Sequence, residues 1–377
     1  MKLRLLWLTE NYFPKRGGMA QSCDRIVHHL RERGVQIDII HFSQRKKAYQ
    51  WQLQMQGRYL ACPFEVDAAH TLNKLWNHLS TEKTSYTHIV AFGGYLPVLA
   101  ASVFPAWMQT PLVTLFRGND FDAAMFSARK QPVLLRAIEQ STVVGAVSRD
   151  KVQKIQQLFP KHKVCYTPNG IDTTPWKLSR SDHEKATQWR KEFAQGRKVI
   201  GLFGDLKPKK GVPFFLEAIR KSRLTEQLHL LMVGNVEETL EEILQREPAI
   251  HFSSLPFLDR YELLGYYPAC DAIAIPSFYD GMPNVMLEAG SLGIPLMAAE
   301  VDGMKDVLRY EGEQLGWLFR AGDVKNAARA LKMWYASPEE LVEKRANKCQ
   351  QVIKDYFNHE QEVVNFLEIF YQTSKKL

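Results

Sequence analysis

Residues 275–299 read IPSFYDGMPNVMLEAGSLGIPLMAA, and this stretch decides how the chain folds around its chemistry. The apolar run that ends at Pro276 predicts a buried strand, followed by a loop that contains glycine. Pro283 is of the type favoured at the first position of a helix, and Gly293 is of the type favoured just past its end. A strand, a loop and a helix in this order predict a ligand site at the carboxyl end of a parallel sheet.

The start of this helix predicts an anion site. The backbone amides from Met282 to Val285, together with the helix dipole, suit a diphosphate. Asp280 precedes the site and Glu288 follows it within the helix. Carboxylates at these positions are poorly placed to neutralise phosphates but well placed to accept hydrogen bonds from sugar and ribose hydroxyls. The alternative from this segment alone is a plain helix with surface acids.

Short apolar runs alternate with amphipathic stretches along the whole chain, a pattern typical of α/β folds with parallel sheets. The predicted strands are Leu3–Leu8, Val35–Phe42, His88–Phe92, Leu112–Phe116, Val143–Val147, Lys163–Thr167, Lys198–Phe203, His229–Val233, Ala272–Ile275, Ile294–Ala298 and Leu315–Phe319.

A length of 377 residues fits two domains of ordinary size. The polar stretch 173–197 carries no apolar run of strand length and predicts a linker. We expect Rossmann-like domains at 1–173 and 174–355, facing each other across a cleft. The segment 356–377 predicts a C-terminal helix that packs on either domain, including back on the N-terminal one.

The 275–299 segment resembles the motif of the retaining family 4 glycosyltransferases of the GT-B fold. An E-x7-E pattern crosses such a loop and helix in that family, and here it reads Asp280-x7-Glu288. The resemblance implies that Glu288 binds the ribose of a nucleotide sugar and that Asp280 binds hydroxyls of the transferred sugar. The intervening amides would bind the diphosphate.

A second landmark of the resemblance is the loop Phe203–Gly211, which is similar to the family's G-R-L-x-x-x-K-G stretch. Lys210 falls on the family's lysine, whereas Asp205 stands where an arginine is usual. An acid there repels a diphosphate unless a cation intervenes, and Lys207 or Lys209 are the candidates. Lysines in a loop are otherwise simply solvated.

Other landmarks follow in the expected order. Arg117-Gly118-Asn119-Asp120 resembles the family's H-G-x-D loop, with arginine in place of the histidine that approaches the donor sugar. The turn 168–172, PNGID, matches a structural turn that closes the family's N-terminal domain. The resemblance assigns catalysis to Asp280, Lys210 and Arg117. It assigns donor binding to Gly17, Gly18, Asp205, Lys210, Gly234, Gly281, Met282, Pro283, Asn284, Val285 and Glu288.

The sequence carries no metal-ligand pattern that we can assign. Asp120-Phe121-Asp122 is a D-x-D of the kind that holds Mg²⁺ or Mn²⁺ in glycosyltransferases of the other main fold, but matches of this length are frequent by chance. His28 and His29 show no H-E-x-x-H spacing. We expect no metal and no cofactor, with the nucleoside diphosphate sugar as co-substrate. Asp259 and Glu262 predict a capping pair of purely structural importance.

The charge is unevenly distributed. Residues 1–177 contain 23 Lys and Arg against 12 Asp and Glu, a net +11, whereas the remainder has 26 against 29, a net −3. The first half therefore predicts an anionic partner, such as a membrane surface, a nucleic acid or a phosphorylated substrate. The alternative is a solvated basic surface. The basic residues expected near the site are Lys15, Arg16, Arg45, Lys46, Lys47, Arg129 and Lys130.

The five scattered cysteines predict reduced thiols, and the apolar run Leu5–Leu8 is far too short for a signal or a membrane span. We expect a cytoplasmic protein, peripheral at the inner face of the membrane if the basic half binds lipid. The resemblance implies a retaining, metal-independent hexosyltransferase that uses a UDP or GDP sugar and builds a lipid-linked or polysaccharide precursor. The alternatives are a non-catalytic nucleotide-sugar binder and an enzyme with a soluble acceptor. A nucleic-acid partner is disfavoured, since interleaved aromatic and basic motifs are missing from the sequence.

Overall fold

Two α/β units make up the protein. The structure, a computed structural model, describes residues 2–15, 17–43, 49–245 and 249–374. Unit 1 comprises Met1–Asn169 and His359–Leu377, and unit 2 comprises Gly170–Asn358. The final helix of the chain therefore belongs to the first unit.

An eight-stranded sheet forms the centre of unit 1, in the order β3-β4-β2-β1-β5-β6-β7-β8. Neighbouring strands are parallel, except that β3 and β4 form an antiparallel pair. The strands are β1 (Arg4–Thr9), β2 (Gln36–Ser43), β3 (Gln52–Gln54), β4 (Gly57–Pro63), β5 (His88–Phe92), β6 (Leu112–Phe116), β7 (Val143–Ala146) and β8 (Val164–Tyr166).

Helices cover this sheet. Those in the first part of the chain are α1 (Gly18–Glu32), α2 (Ala68–Ser80), α3 (Tyr95–Ala101), α4 (Phe104–Met108), α5 (Asn119–Met125), α6 (Gln131–Gln140) and α7 (Arg149–Leu158). The apolar stripe of α1, with Cys23, Ile26, Val27 and Leu30, is fully buried, as the i, i+3, i+4, i+7 spacing requires.

Unit 2 has a six-stranded parallel sheet in the order β11-β10-β9-β12-β13-β16, plus the small hairpin β14-β15. Its strands are β9 (Lys198–Phe203), β10 (Leu228–Val233), β11 (Phe252–Leu255), β12 (Ala272–Ile275), β13 (Leu296–Ala299), β14 (Arg309–Tyr310), β15 (Glu313–Gln314) and β16 (Trp317–Phe319). Its helices are α8 (Arg180–Trp189), α9 (Val212–Ser222), α10 (Glu238–Gln245), α11 (Arg260–Leu264), α12 (Asn284–Ser291), α13 (Asp302–Leu308), α14 (Val324–Tyr335) and α15 (Glu339–Tyr356).

The last helix, α16 (His359–Ser374), packs into the core of unit 1. Phe366 and Phe370 are fully buried in the same apolar cluster as Trp7 of β1. Two polar contacts add to this packing. The Arg25 guanidinium donates to both carboxylate oxygens of Glu362 at 2.9 and 3.0 Å, and a ring nitrogen of His88 hydrogen-bonds the Thr373 hydroxyl at 2.7 Å.

Every strand predicted from the sequence is present, with ends within two residues of the prediction. The capping pair is confirmed as well: the Asp259 side chain accepts from the Glu262 amide at 2.9 Å, and the Glu262 side chain accepts from the Asp259 amide at 3.1 Å. Strands β3, β4 and β11 and the β14-β15 hairpin were not predicted.

Candidate functional site

The strand order of unit 2 reverses direction between β9 and β12. From β9 the chain continues to β10 on one side, whereas β12 pairs with β9 on the other side. Parallel α/β sheets bind ligands at such a switch point, outside the carboxyl ends of the strands. The loops that follow these two strands, 204–211 and 276–283, hold five of the eleven residues that the resemblance assigns to donor binding, and three more follow in the next helix, at Asn284, Val285 and Glu288.

Glycines allow the loops at this edge to pack backbone to backbone. Gly234 has φ +127°, and a Cβ there would lie 2.0 Å from the carbonyl oxygen of Gly204. Gly211 has φ +68°, and a Cβ there would lie 2.2 Å from the carbonyl oxygen of Pro276. The Phe278 amide also donates to the carbonyl of Lys209 at 2.9 Å. A larger residue at 211 would push the loops 204–211 and 276–283 apart, and a larger residue at 234 would push the loop after β10 away from Gly204.

The helix that follows β12 starts one residue later than predicted. Pro283 is the N-cap residue, with extended backbone angles, and α12 begins at Asn284. No side chain caps this N-terminus. The preceding loop is held by the Gly303 amide, which donates to the carbonyl of Gly281 at 2.8 Å. Because the first N–H groups of a helix have no partner within the helix, this terminus suits an anion.

Lys210 and Asp280 meet at this helix start. The Lys210 ammonium lies 2.5 Å from an Asp280 carboxylate oxygen, and the two side chains are 24% and 17% exposed. The other Asp280 oxygen accepts from the Gly281 amide at 3.1 Å. The structure thus brings together the two side chains that the sequence assigns to the diphosphate and to the transferred sugar.

A different lysine neutralises Asp205. The Lys207 ammonium lies 2.7 Å from the Asp205 carboxylate, and both side chains are about half exposed, at 55% and 45%. The hydrogen bond from this ammonium to Asp205 raises the pKa of Lys207. Of the two lysines considered from the sequence, Lys207 therefore compensates the acid, which leaves Lys210 to the site at α12.

Glu288 is held by a residue that sequence analysis missed. The Tyr267 hydroxyl donates to a Glu288 carboxylate oxygen at 2.8 Å, and both residues are buried. Burial and the adjacent carboxylate raise the pKa of Tyr267, so its hydroxyl keeps its proton. The ring of Tyr267 packs edge to face on Phe203, the last residue of β9, with centroids 4.9 Å apart. Tyr267 thus fixes Glu288 against the strand beside it.

Arg117 is buried, and its side chain contacts other residues of unit 1. Its side chain is 1% exposed, and the guanidinium donates to the Thr167 carbonyl at 2.5 Å and to the side-chain oxygen of Asn169. The same guanidinium lies 3.4 Å from Glu362 of α16. Burial lowers the pKa of Arg117 to about 10, which leaves it charged at neutral pH. These contacts engage the guanidinium with protein partners in unit 1, and the assignment of Arg117 to catalysis stays a prediction.

The D-x-D carboxylates have different partners. The Asp120 side chain accepts from the backbone amides of Arg117, Gly118 and Phe121, at 3.1, 2.9 and 3.1 Å. Burial raises the pKa of Asp120. Asp122 pairs instead with the fully buried Lys151 at 2.7 Å. Contacts within unit 1 therefore account for the positions of both carboxylates.

Gly17 and Gly18 start α1 in unit 1. Gly17 is the N-cap residue, with φ +118°, and a Cβ at this position would meet nothing within 4 Å. Both glycines are exposed. Open space beside the backbone is what close approach of a ligand requires, so their role in donor binding stays a prediction.

One group of side chains could hold a metal ion among the residues that the structure describes. It consists of His28, His29 and Glu32 near the end of α1, with ligand atoms within 4.8 Å of one another. Sequence analysis excluded this pair of histidines because it considered only H-E-x-x-H and similar spacings. Glu32 lies 2.8 Å from His29 and 3.3 Å from His28, so contacts with one carboxylate account for the cluster.

The basic residues predicted near the site are only partly covered by the structure. Arg16, Arg45, Lys46 and Lys47 lie outside the described residues. The Lys15 ammonium donates to the carbonyl of Glu10 at 3.0 Å. Within the described ranges, no helix combines the length and the apolar composition that crossing a bilayer demands.

Two α/β units built on mainly parallel sheets, as observed here, are typical of the class of GT-B proteins. Sucrose-phosphate synthase from Thermosynechococcus elongatus has the same fold, with a TM-score of 0.83 and 15% identity over 100% of both chains.

Two family descriptions match successive parts of the chain: "Glycosyltransferase Family 4" over residues 16–175 and "Glycosyl transferases group 1" over residues 197–337. The chain belongs to the family 4, or group 1, glycosyltransferases.

Relatives in this family have varied acceptors. The chain is 25% identical to N-acetyl-alpha-D-glucosaminyl L-malate synthase of Bacillus anthracis over 69% of this chain and 67% of that one. It is 23% identical to UDP-Gal:alpha-D-GlcNAc-diphosphoundecaprenol alpha-1,3-galactosyltransferase of Escherichia coli, over 56% of this chain and 55% of that one. The match spans 46%, 67% and 55% of the length of three curated relatives, and less than half of several others.

Proposed function

We propose that this protein transfers a hexose from a nucleoside diphosphate sugar to an acceptor, with retention of configuration at the anomeric carbon. The observation that carries the proposal is the Lys210–Asp280 pair at the uncapped start of α12, beside the switch point of unit 2. The Lys210 ammonium and the start of α12 suit the diphosphate of a nucleotide sugar, and the Asp280 carboxylate suits the hydroxyls of the sugar that is transferred.

In this proposal the diphosphate lies against the amides that follow Gly281, with Lys210 beside it. Glu288, held by Tyr267, accepts hydrogen bonds from the ribose hydroxyls. Asp280 accepts from the hydroxyls of the transferred sugar. Placing the diphosphate by Lys210 replaces the contact that Lys210 now makes with Asp280, and so frees Asp280 for the sugar.

The reaction then needs no side-chain nucleophile. The bond between the anomeric carbon and the diphosphate oxygen breaks, and its electron pair stays on that oxygen. The acceptor hydroxyl forms a new bond to the same face of the anomeric carbon and gives its proton to the departing diphosphate. Lys210 and the α12 amides stabilise the negative charge that grows on the diphosphate, which is the kind of contribution that lowers a barrier most.

The relatives and the charge distribution suggest which donors and acceptors to test first. The Escherichia coli relative is named for a UDP sugar and a diphosphate-linked lipid acceptor, so UDP sugars are the first donors to test and GDP sugars the second. The net +11 of residues 1–177 favours an anionic acceptor. Basic residues near an anionic bilayer contribute about 1 kcal/mol each, so we also propose peripheral attachment to the inner face of the membrane.

The test is transfer of labelled sugar from UDP and GDP donors into a lipid extract and into a pool of soluble acceptors, in the presence of EDTA. Donor-dependent labelling of either fraction is expected, with the anomeric configuration of the donor kept in the product. Donor binding with neither transfer nor donor hydrolysis would favour the non-catalytic alternative. Activity lost in EDTA and restored by Mn²⁺ would contradict metal independence.

A further inference from the structure

An apolar groove of about 440 Å³ lies on unit 1, outside the site described above. Its volume falls within the range of small-molecule sites. Helix α2 contributes Ala69 and Leu72, and α3 contributes Leu99. Phe104 and Trp107 of α4 complete the apolar part, and half of the Trp107 surface is exposed.

Large apolar side chains near the groove are also exposed. Val66, which precedes the groove residue Asp67, is 86% exposed. Phe126, three residues before the groove residue Arg129, is 94% exposed. Exposed apolar side chains that adjoin groove residues in the sequence are the kind of surface that often marks a binding site.

Two cations stand at one end of the groove. The Arg129 guanidinium lies 5.7 Å from the centre of the Tyr95 ring, and the Lys130 ammonium lies 6.0 Å from it. Both cations are exposed, and within the described ranges neither forms an ion pair with a carboxylate. An anion can therefore bind them without breaking an ion pair.

The position of Tyr95 shows which part of the groove lies at the carboxyl edge of the sheet. Tyr95 is the first residue of α3 and follows β5 after Gly93 and Gly94. It stands at the carboxyl edge of the sheet, where the strand order of unit 1 reverses between β1 and β5. The groove thus has a cationic end at the edge where α/β sheets bind ligands, and an apolar part that continues along α3 to α4.

We propose that this groove binds the hydrocarbon chain of a lipid-linked acceptor, with the phosphate of that acceptor at Arg129 and Lys130. A single-chain lipid phosphate matches both ends of the groove, whereas a neutral lipid leaves the cations unused and a free phosphate leaves the apolar part exposed. This assignment of the acceptor class rests on the proposed transferase function.

Binding to the full-length protein can be measured by calorimetry with dodecyl phosphate below its micelle concentration. Dodecyl maltoside and inorganic phosphate are the neutral and chain-free comparisons. We expect dodecyl phosphate to bind at least tenfold more tightly than either. Ala69→Phe fills the groove from an exposed helix position and should weaken this binding at least tenfold.

The double variant Arg129→Ala/Lys130→Ala should bind dodecyl phosphate no more tightly than dodecyl maltoside. Arg136→Ala removes an exposed arginine of α6 that does not line the groove and should bind like wild type. Equal binding by wild type and Ala69→Phe would overturn the proposal. A second result would also overturn it: wild type and Ala69→Phe both attach to anionic vesicles, but neither binds monomeric dodecyl phosphate. The ligand would then be the membrane surface.

The same variants separate this proposal from the proposed function. Ala69→Phe should keep wild-type affinity for nucleoside diphosphate sugars while losing transfer to a lipid phosphate acceptor. A wild-type protein that binds dodecyl phosphate but no nucleotide sugar would contradict the transferase function alone. A protein that transfers sugar to lipid phosphate equally well with Ala69→Phe would contradict the groove alone.

Discussion

Lys210 gives the most direct residue-level test of electrostatic catalysis. In the proposed reaction it stabilises charge that is larger in the transition state than in the bound donor, so Lys210→Ala should lower turnover more than donor affinity. We expect turnover to fall by roughly 100-fold to 1,000-fold, with a smaller change in the dissociation constant of the donor. Steady-state kinetics and calorimetry measure the two effects.

Lys221→Ala is the matched control, because Lys221 is an exposed lysine of the same unit, in the last turn of α9, and has no role in the proposed site. Its turnover should stay near that of wild type. An unchanged rate in Lys210→Ala would remove Lys210 from the site.

The two carboxylates should respond differently to neutralisation. Glu288→Gln should weaken binding of a free nucleoside diphosphate, since Glu288 is assigned to the ribose. Asp280→Asn should leave that binding nearly intact and reduce transfer, since Asp280 is assigned to the sugar. Titration calorimetry with the nucleoside diphosphate, beside a transfer assay, distinguishes the two roles. Equal loss of nucleotide binding in both variants would mean that the division of roles is wrong.

Residue types at the site could be predicted from the sequence, but their partners could not. The local strand, loop and helix start indicate Asp280 and Glu288, whereas Lys210 was assigned through the resemblance to the family. Tyr267 lies 21 residues from Glu288 in sequence, and no periodicity connects them. One partner of Arg117, Glu362, is 245 residues away on the last helix, so no local pattern could reveal this contact.

At the scale of elements, the buried ion pairs that hold α16 predict a large stability effect. Glu362 is 1% exposed and pairs with Arg25 and Arg117. Glu362→Gln removes the charge that compensates both guanidinium groups, and breaking a buried pair in this way typically costs about 3 to 5 kcal/mol. We expect a loss of this size in the free energy of unfolding, measured by urea denaturation.

Glu360→Gln is the matched control on the same helix. Glu360 is 68% exposed and lies 3.8 Å from Arg33, so its loss should cost less than about 1 kcal/mol. Similar small losses for both variants would show that the Glu362 pairs do not stabilise the docking of α16 on unit 1.

The contact between β5 and α16 predicts a dependence of stability on pH. Burial lowers the pKa of His88 to about 4, below its ordinary value of 6.5. As the pH falls, His88 therefore binds a proton at a higher pH in the unfolded state than in the folded state. The free energy of unfolding falls as the pH drops from about 6.5 toward about 4. His88→Gln should lose less stability over this range than wild type, as measured by denaturation midpoints at pH 7 and pH 5.

His70→Gln serves as the control for this effect, because the His70 side chain is 49% exposed. Its midpoints should fall with pH as those of wild type do. Part of the wild-type loss should remain in His88→Gln, because burial also lowers the pKa of His229 in unit 2 to about 4. Identical pH dependence in wild type and His88→Gln would exclude His88 as a source.

The strands that were not predicted have different sequence features. In β3, Gln52–Gln54 reads QLQ and is exposed throughout, so the sequence carries no apolar run there. In β4, the buried residues 59–63 follow Arg58, which is held by the buried carboxylate of Asp38 at 2.9 Å, a contact between strands that no local pattern contains. Strands buried on both faces, such as β6 and β12, were predictable because nearly every position in them is apolar.

At the scale of the whole molecule, the proposed binding residues and the net charge are unevenly distributed between the two units. The residues that we propose to bind the nucleotide sugar lie mainly in unit 2, whereas the excess positive charge and the apolar groove lie in residues of unit 1. This distribution fits a protein in which one unit holds the donor and the other holds an anionic acceptor. The two binding functions should therefore be separable by mutation.

The central claim is that the donor binds at the switch point of unit 2, and hydrogen exchange tests it most directly. Exchange is measured on the full-length protein with and without a saturating nucleoside diphosphate sugar, in EDTA. We expect the donor to slow exchange of backbone amides in segments 204–211 and 276–288. Protection confined to unit 1, or unchanged exchange in both segments under conditions where the donor demonstrably binds, would contradict the claim.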